Sequence, residues 1–140
     1  MTYLGLDLGT KTLGISKSNG VIASFYKTIR HEEDYEYLLK EVALIVQEEK
    51  IDKIVLGYPK NMNNSVSNMA AIVLDFKAKL EQELHIEVLL EDERLTSKIS
   101  NNVLIKGDVS RKKRKMVVDG MASVLILQSY LDRKELNNGR

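Results

Sequence analysis

The chain has 140 residues, of which 44% are hydrophobic, with a formal net charge of +1 and no cysteine. That size and apolar content are enough for one compact domain, and the lack of cysteine excludes a disulfide framework, a thiolate zinc site and a cysteine nucleophile. The start of the chain shows no charged segment leading into an apolar stretch with a cleavage site, and no apolar run nears the roughly 18 residues of a membrane span, so a cytoplasmic location is expected.

Tyr3 to Gly9 alternates, with Leu4, Leu6 and Leu8 on one face and Tyr3, Gly5, Asp7 and Gly9 on the other, which predicts a strand. Thr12 to Ser18 and Val21 to Thr28 are two further strand runs, and Asn19-Gly20 between them is a hairpin signal. Antiparallel strands are therefore expected to open the chain. From His31 to Lys50 the period changes: Tyr35, Leu38, Leu39, Val42, Ile45 and Val46 recur at helical spacing beneath an acidic outer face. Lys53 to Tyr58 reads as a short buried strand ended by Pro59, the single proline, with a polar loop over Lys60 to Ser65. Met69, Ile72, Val73, Phe76 and Leu80 mark a second helix, and Ile86 to Glu91 a fifth strand. A helix over Leu95 to Lys106 is stopped by Gly107, and a last helix starts near Ser110 and carries Met116 to Leu131 before a polar tail from about residue 134. This order describes an α/β fold, a mixed sheet with helices on its faces, in one domain over residues 1–140. Ligands in such sheets gather at the carboxyl ends of central strands.

Asp7 lies near such an end, flanked by Gly5 and Gly9, which leave room for a backbone or a phosphate to come close. Aspartate is disfavoured in strands and costly to bury unpaired, so a function there competes with a simple turn-capping role. Glu91-Asp92-Glu93-Arg94 closes the fifth strand, and alternation lets only one or two of its three acids point toward Asp7. Converging carboxylates would suit a hard divalent cation such as Mg²⁺ or Mn²⁺; otherwise these acids cap the next helix. Charge is distributed unevenly: residues 31–52 hold eight acids and two bases, whereas residues 94–115 hold eight bases and one acid. Arg111, Lys112, Lys113, Arg114 and Lys115 sit where the last helix starts, against the preference of its dipole, and Asp119 follows one to two turns later. A carboxylate beside a basic run is what cleavage of a phosphodiester by two metal ions needs, with the cations holding the phosphate backbone. Lys60 and Asn61, at a strand's carboxyl end, are further candidates for substrate contact, whereas His31 and His85 read as surface or turn residues.

Taken in order, Gly5-Leu6-Asp7-Leu8-Gly9-Thr10-Lys11, Val55-Leu56-Gly57-Tyr58-Pro59-Lys60-Asn61-Met62, Asp92-Glu93-Arg94-Leu95-Thr96-Ser97, Ser110 to Asp119 and Leu125 to Asp132 resemble the YqgF/RuvX family of Holliday junction resolvases. The resemblance covers nearly the whole chain. It implies a ribonuclease H-like fold, a five-stranded mixed sheet whose first three strands are antiparallel, with helices on both faces. It also implies Asp7, Glu93 and Asp119 as the metal-binding carboxylates of a nuclease, with Asp92 as the substitute for Glu93. The candidate contacts to nucleic acid are Lys11, Lys60, Asn61, Arg94 and Arg111 to Lys115, with Lys60 standing where an apolar residue is common in the family. The family is linked to maturation of the 5′ end of small-subunit ribosomal RNA, hence to pre-ribosomal particles, and to resolution of four-way DNA junctions, which requires two active sites. No seam in the sequence predicts a strong dimer, so a monomer or weak homodimer is expected. Thr12, Lys17-Ser18 and Asn64 depart from the family pattern without removing an acid. Two other readings compete: a non-catalytic RNA-binding assembly factor, and a nucleotide-binding lobe suggested by Asp7-Leu8-Gly9-Thr10-Lys11 and Gly14, for which no second phosphate loop is present.

Overall fold

The computed structural model describes residues 1–59, 68–92 and 111–138, and for residues 68, 111–120 and 135–138 it describes the backbone alone. The expected loop over Lys60 to Ser65 and the expected helix over Leu95 to Lys106 lie outside the described residues. The elements are β1 (Tyr3–Leu8), β2 (Thr12–Ser18), β3 (Ala23–Arg30), α1 (Tyr35–Glu49), β4 (Lys53–Tyr58), α2 (Asn68–Leu84), β5 (Glu87–Asp92) and α3 (Arg111–Asn138). They form a five-stranded sheet in the order β3-β2-β1-β4-β5. β1 to β3 are antiparallel, and β4 and β5 run parallel to β1 and to each other.

The pleat of β1 decides which helices cover which face. Leu4, Leu6 and Leu8 join Leu13, Ile15, Ile54, Leu56 and Val88 in a core closed by Leu38, Val42 and Ile45 of α1 and Val73, Phe76 and Leu80 of α2. Tyr3 and Val55 point the other way and pack under Ile126, Leu127 and Leu131 of α3. Helices thus lie on both faces, and β4 is buried through its middle, Ile54 to Gly57, with Lys53 and Tyr58 half-buried at its ends. Each buried leucine contributes roughly 1.5–3 kcal/mol.

Several boundaries differ from the expectation: β1 ends at Leu8 rather than Gly9, α1 occupies Tyr35–Glu49 within the expected His31 to Lys50, and β5 is Glu87–Asp92 rather than Ile86 to Glu91. β3 starts at Ala23 and ends at Arg30, because Ser18 pairs with Ala23; Val21 and Ile22 are consequently exposed in the turn. That turn is held by Ser18 Oγ, which accepts from Gly20 N–H, and by Asn19 Oδ1, which accepts from Val21 N–H. α3 runs on to Asn138, so the residues read as a polar tail include its last turn.

Asp34 caps α1 by accepting from Tyr37 N–H, and the far end of the helix is tied to the sheet by Lys17 of β2, whose Nζ donates to Glu49. That bond holds the Glu49 carboxyl below its ordinary value of 4.5. A lowered folded-state pKa stabilises the fold above the unfolded value, and this contribution is lost as pH falls through the folded one. Glu49→Gln should therefore remove at neutral pH what the native chain loses only on acidification below about 4.5. Thermal melts of the two proteins, compared at pH 7 and at pH ~3, should converge at the acidic end; parallel curves would show that the pair does not stabilise the fold.

Candidate active site

Asp7 is the second-last residue of β1, half-buried, paired with Gly14 of β2 and on the face covered by α3. The next strand on its other side is β4, where Gly57 follows Leu56, the partner of Leu6. Asp7 is thus bordered on both sides by residues without side chains.

The seating of α3 is determined two residues earlier. Ser16 Oγ, fully buried, donates to Ser123 O at 2.7 Å, and a Cβ built on Gly5 would stand 2.8 Å from Leu127 Cβ and 3.1 Å from Ser123 O. The glycine at position 5 therefore admits the helix itself, the close backbone approach its residue type allows. At Gly9 only Thr12 is near, at ordinary contact distance. At the start of β1 the Tyr3 ring meets Tyr130, with centroids 6.0 Å apart, and Lys134 Nζ donates to Tyr3 Oη. Reading from Tyr3 to Gly5 along β1, the contacts on α3 thus move back from Lys134 and Tyr130 to Leu127 and Ser123. Asp119 lies one helical turn before Ser123 in α3, as Asp7 lies two residues beyond Gly5 in β1.

The acids of β5 separate by face. Asp92 pairs with Tyr58 and shares the face of Val88 and Leu90, which belong to the α1/α2 side. Glu91 pairs with Gly57 and faces α3, in the tier of Asp7. It is 3% exposed and bound in a fork by Arg133, with Nη1 donating to Oε2 at 3.0 Å and Nη2 to Oε1. Arg133→Met should leave this carboxylate buried without its partner. A fully buried pair broken in this way costs about 3–5 kcal/mol. Because the arginine is 56% exposed, water shares in its solvation and a loss of about 2 kcal/mol is expected, measured by urea unfolding. Adding Glu91→Gln should restore part of it.

Glu93, Arg94, Lys60 and Asn61 lie outside the described residues. Arg111 to Lys115 form the first residues of α3, with their side chains outside the description. Among the described residues no group of three His, Cys, Asp or Glu could hold a metal ion, and the side chains of two of the three expected donors, Glu93 and Asp119, lie outside the description. Lys11, exposed, lines an open groove of about 520 Å³ with Thr10, Arg30, His31, Glu32 and Glu33 beside the β1–β2 turn. His31, read as a surface or turn residue, lies in the link between β3 and α1 and is buried: both ring nitrogens are engaged, one with Gly9 O and one with Glu33 N–H. The sequence carried no signal for this burial, since one of the two partners, Gly9 O, belongs to a turn 22 residues away. No described helix is long and apolar enough to cross a membrane.

Three antiparallel strands followed by two parallel ones, with helices on both faces, define a ribonuclease H-like fold. The same fold is seen in Thermus thermophilus RuvC in complex with a Holliday junction substrate, which superposes with a TM-score of 0.59 over 96% of each chain at 13% identity. The family model described as "RuvX: Holliday junction resolvase" matches residues 1–133, and the chain belongs to this family. Among its relatives, a protein of Geobacillus sp. (strain WCH70) named "Putative pre-16S rRNA nuclease" is 49% identical over 138 residues, covering 96% of this chain and all of that one. The Bacillus subtilis (strain 168) protein of the same name is 47% identical over 135 residues, covering 94% of this chain and 98% of that one.

Proposed function

We propose that this chain is a cytoplasmic, metal-dependent endonuclease that hydrolyses phosphodiester bonds in maturing the 5′ end of pre-16S rRNA, acting on pre-ribosomal particles. Asp7, Glu93 and Asp119 are its metal-binding carboxylates. The observation that carries this reading is the antiparallel seating of α3 on β1. One helical turn back from Ser123 is a rise of about 6 Å, and two residues on from Gly5 are about 6.6 Å of strand. Asp119 and Asp7 therefore advance together toward the same end of the sheet. Asp92 stands on the opposite face from Asp7, which favours Glu93 over it as the acid following β5.

Oxygen donors alone, with neighbouring glycines at positions 14 and 57 and both His31 nitrogens already engaged, fit Mg²⁺ or Mn²⁺, in a pair, rather than a softer ion. Such ions, when bound, activate water and stabilise the leaving oxygen. The protein's own part is to hold the carboxylates at fixed places on rigid elements and to neutralise phosphates with Lys11, Lys60, Arg94 and Arg111 to Lys115, while Asn61 hydrogen-bonds to the nucleic-acid backbone.

The names of the relatives favour the rRNA precursor as substrate, whereas the description of the family favours a four-way DNA junction, which would need a dimer. Cleavage of a labelled small-subunit precursor and of a four-way junction, each with Mn²⁺, decides between them. Cutting of the precursor alone is the expected result. Binding of both without cutting of either would instead point to an assembly factor.

A further inference from the structure

His31 is a buried histidine to which the nuclease reading assigns no part. It is 6% exposed, lies between β3 and α1, and its ring packs against Tyr35 with centroids 5.5 Å apart. Three hydrogen bonds meet on it. Its backbone N–H donates to Lys11 O at 2.9 Å, its Nε2 lies 2.9 Å from Gly9 O, and Glu33 N–H donates to its Nδ1 at 3.1 Å. A carbonyl can only accept and an amide N–H can only donate, so Nε2 carries the proton and Nδ1 is bare. The tautomer is thereby determined by two backbone groups. Glu33 adopts a left-handed conformation, φ 60°, in delivering its N–H to the ring.

The effect of these bonds falls on the β1–β2 turn. Inside the turn Gly9 N–H donates to Thr12 O at 2.8 Å. The carbonyls of Gly9 and Lys11 then point to His31, one to its side chain and one to its backbone. Asp7 itself is held independently, in ladder pairing with Gly14. Removing the imidazole bond would therefore loosen Gly9 to Lys11 while leaving Asp7 in place. Lys11 is exposed on the groove beside Arg30 and makes no salt bridge among the described residues.

We propose that His31 is a positioning residue which, through its Nε2–H bond to Gly9 O, holds the β1–β2 turn so that Lys11 meets a phosphate of the nucleic-acid backbone. The proposal rests on the nuclease reading and assigns His31 to substrate binding rather than to metal chemistry. A preordered lysine loses less side-chain and backbone freedom on binding, so the clamp acts on affinity and leaves the chemical step alone.

Two substitutions of similar polarity separate the clamp from mere filling of space. His31→Gln can place an amide N–H near the position of Nε2 and reach Gly9 O, whereas His31→Asn can accept only from Glu33 N–H. Binding of a labelled precursor RNA is measured as a function of salt in an Asp7→Asn background, which cannot cut, with melting temperatures recorded alongside. His31→Asn should weaken binding about tenfold and lower the salt slope by about one phosphate contact, while His31→Gln should bind within about twofold of its parent. Combined with Lys11→Gln, His31→Asn should add little, because both changes remove the same contact. Equal binding by the Asn variant and its parent, or a full additive loss in the Lys11→Gln background, would overturn the proposal while leaving the nuclease reading intact. Absence of RNA binding by the parent protein would overturn both.

Discussion

Gly5→Ala should destabilise the protein by about 3 kcal/mol, at the upper end of what an overpacked interior methyl costs, and lower its melting temperature by about 10 °C. The added Cβ meets Leu127 Cβ at 2.8 Å and Ser123 O at 3.1 Å, and crowds Ser16 Oγ. Leu127 Cβ and Ser123 O move only with α3, so the helix must lift from the sheet, and the buried Ser16 to Ser123 bond is stretched or lost with it. A lifted α3 carries Asp119 away from Asp7, so the variant should also lose nuclease activity at temperatures where it is still folded. Ser16→Gly in the same chain relieves the crowded oxygen but not the contact with Leu127, and should rescue stability only in part. The comparison is made by calorimetry, with cleavage measured well below the lower melting temperature. A variant that melts with the native protein would mean that α3 is not seated on Gly5 as described.

Asp7→Asn should abolish metal-dependent cleavage, by at least about a thousandfold, while leaving the melting temperature nearly unchanged. The amide matches the carboxylate in shape, and Asp7 is only half-buried and forms no salt bridge among the described residues. What the substitution removes is the negative charge that attracts a hard cation. Binding of RNA should persist, because the phosphate contacts come from other residues. Retained cleavage by the purified variant would remove Asp7 from the metal site; loss of binding along with cleavage would assign it to substrate instead.

Much of this was legible along the chain. The alternation of Leu4, Leu6 and Leu8 against Tyr3, Gly5 and Asp7 predicted both the strand and the face on which Asp7 stands, and the runs Thr12 to Ser18 and Lys53 to Tyr58 match β2 and β4 end to end. Helical periodicity located α1 and α2 for the same reason: the period of a buried face depends only on residues near in sequence. The order of acids and the basic run were likewise readable, since a motif is a local pattern. Where strands pair was not. β3 begins two residues later than its apolar run because Ser18 meets Ala23, leaving Val21 and Ile22 to the turn.

The partners of the polar groups were decided only in three dimensions. Glu91 and Asp92 are adjacent acids with nothing in sequence to rank them; the pleat sends one to Arg133 and the other to the opposite face. His31 looked like a turn residue at the head of an acidic helix, and it became a buried clamp because folding brings the carbonyls of Gly9 and Lys11 to it from across the β1–β2 turn. The room that glycine leaves at position 5 was readable, but its occupant, Leu127 of α3, was not. Local residue pattern determines which segments become strands and helices and which way they face, whereas the groups that meet across more than a hundred residues are selected by chain closure, which no local period encodes.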